Sequence, residues 1–287
     1  MYIIYHRRDM DGWVSGAICQ RKFPDAKLIG WDYVDEIPDL EQFRDEDVIM
    51  IDITFPIYEL EELSQKCNNL TVIDHHISFK KEFDRTYIDY ADAPFTHIYD
   101  SSKAACEIGW EYLFPDEEMP LTVLEVGRYD TWRKDEGDWN GTTLPFKYYC
   151  YSVCNSPETF PAWFFHVKSG KDLYDFYDCV HHGLSIMKHE DKLNESLAKR
   201  NSFEKETYGL KALCINYSPF HSEVLKSIWD PSKFDLMVGF CFTGNKWSVS
   251  LRSEGDVDVS AIAKARGGGG HKNSAGFEVS NFEDIFK

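Results

Sequence analysis

The apolar run Leu70-Thr71-Val72-Ile73 breaks off in Asp74-His75-His76. A short apolar run that stops this abruptly reads as a buried strand delivering its polar end to a cleft. Burying a carboxylate and two imidazoles without partners costs on the order of several kcal/mol. Metal coordination removes that cost, and imidazole with carboxylate suits a hard or borderline divalent cation.

The same punctuation recurs upstream. Residues 2–5 form an apolar strand ending at His6, followed by Arg7-Arg8-Asp9-Met10-Asp11-Gly12. Residues 48–51 form another, ending at Asp52, and residues 27–31 a third. Helical periodicity covers 13–23 and 58–67, with Pro56 at a helix start. Alternation of strands and helices predicts a parallel sheet. In an open parallel sheet, sites form beyond the carboxyl ends of the strands. Topology alone therefore brings His6, Asp9, Asp11, Asp52, Asp74, His75 and His76 toward one crevice.

Composition limits the partners. The formal net charge is -18 over 287 residues, so no broad basic surface is available for long duplex nucleic acid. A small phosphorylated substrate remains compatible if metal ions reverse the field locally. No run of about 18 apolar residues is present, and Met1-Tyr2-Ile3-Ile4-Tyr5 lacks the features of a signal peptide. The eight cysteines are scattered without a Cys-x-x-Cys pair. A reduced, cytoplasmic protein without membrane partners is expected.

Farther along, Ser101 or Ser102 is expected to cap a helix over 104–113, and a second helix spans 121–129, leading to Asp130. Residues 134–143 read as a loop, 158–168 and 172–200 as helices. Beyond Leu210, strands are expected at 211–216, 236–243 and 247–252, with Gly244-Asn245 as a hairpin turn, and a helix at 259–266. Gly267-Gly268-Gly269-Gly270-His271 then reads as a loop whose N–H groups can approach an anion. Trp132 and Trp139 have the chemistry to stack a base but are expected in the core. His181 and His182 are expected to be structural, and Ser222 to cap a helix. The chain divides into 1–170, a helical connector at 171–205, and a smaller α/β domain at 206–287.

The combined pattern resembles the DHH phosphoesterase family. The matching residues are His6-x-x-Asp9-x-Asp11-Gly12, Asp52, Asp74-His75-His76 and Asp130 in Gly127-Arg128-Tyr129-Asp130. Gly267 to His271 with Ser274-Ala275-Gly276-Phe277 resembles the DHH-associated domain of the same proteins, while 134–205 matches no motif. The resemblance implies an α/β fold with an amino-terminal parallel-sheet DHH domain, a smaller carboxyl-terminal domain, and a site in the cleft between them. It implies two metal ions, usually Mn²⁺, with Mg²⁺ an alternative. His6, Asp9 and Asp52 would hold one ion, and Asp11, Asp52, His75 and Asp130 the other. His76 would face the substrate phosphate and Asp74 would orient a histidine ligand. Because the family varies in the spacing of the first histidine, His6 is the ligand least fixed by the motif. His271, with Gly268, Gly269 and Gly270, would hold the substrate. From their positions beside His6 and at a strand end, Arg8 and Arg252 are expected as further phosphate contacts.

Two divalent ions about 3.5–4 Å apart clamp both sides of a phosphoryl displacement, and a water they share is acidified into an attacking hydroxide. The expected activity is hydrolysis of short oligonucleotides, of the exonuclease or oligoribonuclease type. Cyclic dinucleotides and 3′,5′-bisphosphonucleotides are the alternative substrates, and a nucleotide-binding regulator without chemistry is the alternative of another class. Direction of digestion and oligomeric state, a homodimer included, stay open.

Overall fold

The computed structural model describes residues 1–87, 93–167, 173–218 and 220–287, the side chain of His271 excepted. The chain forms two compact units, Met1–Met187 and Lys188–Lys287.

The first unit is built on five parallel strands: β1 (Tyr2–His6), β2 (Lys27–Trp31), β3 (Asp47–Ile51), β4 (Asn69–Asp74) and β5 (Thr96–Tyr99), in the order β2-β1-β3-β4-β5. Helix α1 (Met10–Lys22) follows β1, α2 (Ile57–Lys66) follows β3 and α3 (Ile77–Thr86) follows β4. Alternate strand residues face opposite layers. Ile3 and Tyr5 pack in one apolar core with Val14 and Ile18 of α1, whereas Tyr2 and Ile4 pack in another with Leu60, Leu63 and Phe79. Burial on both faces is why these strands read as continuous apolar runs. The order reverses between β1 and β3, the switch point at which open α/β sheets leave a crevice.

Helices α4 (Ala105–Leu113) and α5 (Leu121–Asp130) add to the first core. Neither Ser101 nor Ser102 caps α4. Ser102 instead bonds the Asp100 carboxylate, and the cap residue is Ala104, whose N–H donates to Glu107 Oε2 at 3.0 Å. The 134–143 segment is not all loop: Trp139–Thr143 is one π-helical turn running directly into α6 (Leu144–Val153). Pro145 at the first turn suits a helix start and masks it in a search for helix interiors. The helix expected over 158–168 is two 3₁₀ turns, Pro157–Thr159 and Ala162–Phe165; Pro161 interrupts the run. Residues 168–172 lie outside those described. The long helix α7 (Leu173–Asn201) ends where Ser202–Thr207 becomes strand β6, so the expected connector is not helical to residue 205.

The second unit carries β6, β7 (Leu210–Asn216), β8 (Leu236–Phe242), β9 (Trp247–Arg252), β10 (Gly269–His271) and β11 (Ser274–Val279), in the order β10-β11-β9-β8-β7-β6. Only β7 and β8 pair in parallel among these. Helix α8 (Val259–Lys264) contributes Val259 and Ala263 to the core of this sheet. Ser222 caps no helix: it begins a single 3₁₀ turn, Ser222–Val224, without a side-chain cap. No described helix is long and apolar enough to cross a membrane.

Candidate metal centre

Three strand ends converge. β1 ends at His6, β3 runs into Asp52, and β4 ends at Asp74 with His75 and His76 beyond it. Asp9 caps α1, accepting from the Gly12 N–H at 3.1 Å. Gly12 is required there, because a Cβ would lie 2.0 Å from the His6 carbonyl oxygen. That approach puts Asp9 and Asp11 against the end of β1.

Asp52 is the centre of the arrangement. It is buried, with a left-handed backbone (φ 63°) uncommon for a residue other than glycine. Its two carboxylate oxygens face different partners: Oδ2 lies 3.5 Å from His6 Nδ1, and Oδ1 lies 3.3 Å from His75 Nε2. On one side, His6 Nδ1 is 2.9 Å from Asp9 Oδ2. On the other, His75 Nε2 is 3.5 Å from Asp130 Oδ2 and 3.7 Å from Asp11 Oδ2. Three overlapping donor groups result: His6, Asp9 and Asp52; Asp11, His75 and Asp130; and Asp52, Asp74, His75 and His76.

The donors fit divalent cations. Ligands about 2.1 Å from an octahedral ion are about 3.0 Å apart when adjacent and about 4.2 Å when opposite, and the distances above fall near or within that range. Two atoms of the cluster, His6 Nδ1 and Asp74 Oδ2, are buried without a hydrogen-bond partner. His6 Nδ1 meets Asp9 closely but without hydrogen-bond alignment, as donors turned toward a common point do.

Protonation reports the same shortage of positive charge. Burial favours the neutral ring of His6, yet the adjacent Asp52 and Asp9 carboxylates prevail and raise its pKa to about 10. His75 reaches about 10 in the same way, burial being outweighed by Asp52 and Asp11. Burial, then the neighbouring Asp52, drives Asp11 up to about 7; burial, then Asp11, drives Asp130 up to about 7. Burial also raises Asp52. Five carboxylates and three imidazoles compete for protons here, which cations would replace.

Supporting contacts fix several side chains. Both Asp11 oxygens accept from the start of α4, Oδ1 from Cys106 N at 2.8 Å and Oδ2 from Ala105 N at 2.9 Å. Asp74 Oδ1 lies 2.7 Å from His76 Nδ1 and accepts from the His75 backbone N–H at 2.8 Å. Of the histidine rings here, it is that of His76 that Asp74 orients. Asp130 ends α5, and the turn beyond it is pinned by Arg133, which reaches Thr131 Oγ1 at 2.8 Å and the buried Glu107.

Sequence reasoning passed over Asp32. It directly follows β2, is buried, and sits 3.7 Å from His6 Nε2. The signal was available, since Asp32 is a strand-end acid like Asp52 and Asp74. Its neighbour Arg8 is exposed and lies 3.4 Å from Asp32 Oδ2, while Arg7 is held by Asp35.

In the second unit, Arg252 is half-buried and donates to the Leu251 carbonyl at 2.8 Å, and burial lowers its pKa. The glycine run is not an open loop. Gly267 N–H and Gly268 N–H donate to the Lys264 and Ala263 carbonyls, ending α8, and Gly269–His271 pairs as β10 with β11. A cavity of about 450 Å³ opens beside it, lined by Lys246, Ser248, Ser250, Gly267 and Gly268. The His271 side chain lies outside the described set. A larger cavity of about 600 Å³ lies on the β4–β5 edge around Asn68, Phe83 and His97, and includes none of the donor residues.

Comparison with known proteins follows this layout. Residues 226–287 match the DHHA1 domain family. Protein R106 of Acanthamoeba polyphaga mimivirus is 24% identical over 85% of this chain, and oligoribonuclease NrnB of Bacillus subtilis is 23% identical over 98%. The chain spans 56% of the length of the first and 73% of the second. Among solved structures, the fold is similar to the DHH domain of a member of a ribosomal-protein family (TM-score 0.64, 13% identity, 99% of this chain and 84% of that one). It is also similar to the pGpG-specific phosphodiesterase PggH of Vibrio cholerae (TM-score 0.53, 13% identity, 99% and 95%). RecJ of Thermus thermophilus, solved in complex with Mn²⁺, has a TM-score of 0.52 at 15% identity, over 99% of this chain and 50% of its own. The DHHA1 match falls wholly within the carboxyl-terminal unit, and the Asp74-His75-His76 series ends β4 of the other. The carboxyl-terminal residues 226–287 thus match a DHHA1 domain, and the chain is similar in fold to DHH-domain proteins.

Proposed function

We propose that this protein is a two-metal phosphodiesterase that hydrolyses short oligonucleotides, releasing mononucleotides. The observation that carries the reading is Asp52, whose two oxygens face two separate sets of donors. His6, Asp9 and Asp52 would hold one cation, and Asp11, Asp52, His75 and Asp130 the other. Mn²⁺ is the favoured ion, with Mg²⁺ the alternative; mixed imidazole and carboxylate donors suit the former.

When bound, such cations supply Lewis-acid polarisation of phosphoryl oxygens and acidify water. The chain's own residues supply the rest. Asp74 holds His76 through Nδ1 and raises its pKa against the opposing effect of burial. His76 Nε2–H is then presented as a donor to a phosphate oxygen. The amino end of α4, through Cys106 and Ala105, fixes the Asp11 carboxylate in one orientation. In the second unit, Arg252, Gly268, Gly269, Gly270 and His271 are proposed as substrate contacts, with Arg8 as a further one in the first. The DHHA1 match over 226–287 supports the second-unit assignment.

Substrate length is argued from charge and likeness. A net charge of -18 disfavours long polymer. The likeness to an oligoribonuclease, and in fold to a phosphodiesterase acting on pGpG, supports a short linear substrate. A Mn²⁺-dependent screen of dinucleotides, 5-mers, long single strands, cyclic dinucleotides, bisphosphonucleotides and pyrophosphate tests this. Preference for dinucleotides and 5-mers is expected. Metal binding without turnover of any phosphoester would instead identify a regulator.

A further inference from the structure

The segment after Asp130 matches no motif, yet it builds a surface beside the donor cluster. Trp132 is 56% exposed and its backbone is left-handed (φ 55°). A bulky aromatic residue keeps that conformation only when its surroundings impose it. Here they do: the Trp132 N–H donates to Tyr129 O, the Lys134 N–H to Trp132 O, and Arg133 is anchored to buried Glu107. A half-buried ion pair thus holds a turn whose outcome is an exposed indole.

That indole is backed by other rings. Its centroid lies 5.3 Å from Trp139 and 5.9 Å from Tyr129, and Tyr129 and Trp139 stack at 20°. Trp139 is buried, as expected from sequence; Trp132 is not. Lys134 Nζ sits 4.5 Å over the Trp132 ring. Lys147 Nζ lies 5.2 Å from both the Tyr129 and Tyr151 rings, and Tyr151 contacts Trp13 on α1. The surface starts close to the metal centre in the chain. Trp132 is two residues past Asp130, hence within about 7 Å along the backbone.

We propose that Trp132, supported by Tyr129 and Trp139 and with Lys134 over one face of its ring, offers its other face as a stacking platform for a nucleobase of the substrate. This deepens the phosphodiesterase reading and rests on it for the position of the phosphate. Indole offers a π-face that any base can use, so the platform gives affinity with little sequence preference. The lysine ammonium groups supply positive charge to the same substrate in an otherwise acidic chain. A substrate made only of phosphates has nothing to place here.

The test uses full-length Mn²⁺-loaded protein and two variants, Trp132→Ala and Trp132→Phe. KM is measured on a dinucleotide and on the same dinucleotide with one residue abasic. Trp132→Ala should raise KM for the intact dinucleotide at least about fivefold, as expected for loss of a stacked base. The abasic substrate should shift less than about twofold, and Trp132→Phe should restore most of the loss. Equal shifts on both substrates, or none, would overturn the platform while leaving the hydrolase reading standing. Equilibrium dialysis with AMP and ribose 5-phosphate decides the matter without turnover. Tighter binding of AMP, abolished by Trp132→Ala, supports the platform even in a protein without activity. No preference for AMP refutes it.

Discussion

The donor cluster of the first unit and the glycine run of the second were both read from sequence as places that face a ligand. They differ in where their polar groups go. At the ends of β1 and β4, His6 Nδ1 and Asp74 Oδ2 are buried without a hydrogen-bond partner. In the glycine run, Gly267 and Gly268 direct their N–H groups to the last carbonyls of α8, and the next three residues join a sheet. A buried polar side-chain atom without a hydrogen bond is available to a ligand; a backbone N–H usually has an internal acceptor to satisfy first.

The sharpest way to break this contrast is Asp52→Asn. Turnover should fall at least about 10³-fold, equivalent to about 4 kcal/mol of transition-state stabilisation. In chelator the same change should leave Tm unchanged or raise it, because burial disfavours the Asp52 charge. A variant that loses activity by unfolding would show a lower Tm instead. Asp74→Asn should cost about 10–100-fold in activity, the usual effect of removing a group that orients a metal-site histidine. Since Asp74 raises the His76 pKa, the alkaline limb of the pH–rate profile should also move to lower pH.

Stability against pH distinguishes protons from cations at the centre. Asp11 and Asp130, raised to about 7, contribute stability that is full below their unfolded values near 3.8 and lost as pH rises through 7. His6 and His75, raised to about 10, contribute stability that is full below 6.5 and lost as pH rises through 10. Both act in one direction, so the chelated protein should lose Tm between about pH 4 and about pH 10. Added Mn²⁺ should restore it most at the alkaline end, by binding the folded state. A Tm independent of pH in chelator would contradict the clustering.

The glycine run should behave oppositely. A Cβ at Gly268 would lie 2.1 Å from the Gly276 carbonyl oxygen. Gly268→Ala should therefore destabilise by about 1–3 kcal/mol, equally with and without metal. His271→Ala should give the smallest effect, a raised KM with kcat within about twofold, the pattern of a lost binding contact.

What the amino-acid sequence revealed follows the same division. His6, Asp52 and Asp74 were legible because a carboxylate or imidazole ending an apolar run has few structural explanations. Strand order could not be read, yet it decides that β1 and β3 are neighbours and their ends meet. Asp32 was missed although it obeys the same rule, because β2 is less apolar and less buried than its neighbours. Asp11 was legible as an acid, but not its hold on α4, since Ala105 and Cys106 are 94 and 95 residues away. Strand β5 and helix α6 escaped notice: the first is four residues long, and the second starts inside a polar stretch with a proline. The exposed Trp132 could not be told from the buried Trp139 by composition, because a backbone turn, not hydropathy, separates them.

Calorimetric titration of chelator-stripped protein with Mn²⁺ at about pH 8 tests the joining role of Asp52 most directly. Two equivalents should bind the wild-type chain, and Asp52→Asn should weaken both together, because its oxygens face both donor sets. A wild-type chain that takes up one equivalent or none, or an Asp52→Asn variant that still binds two with unchanged affinity, would contradict the account.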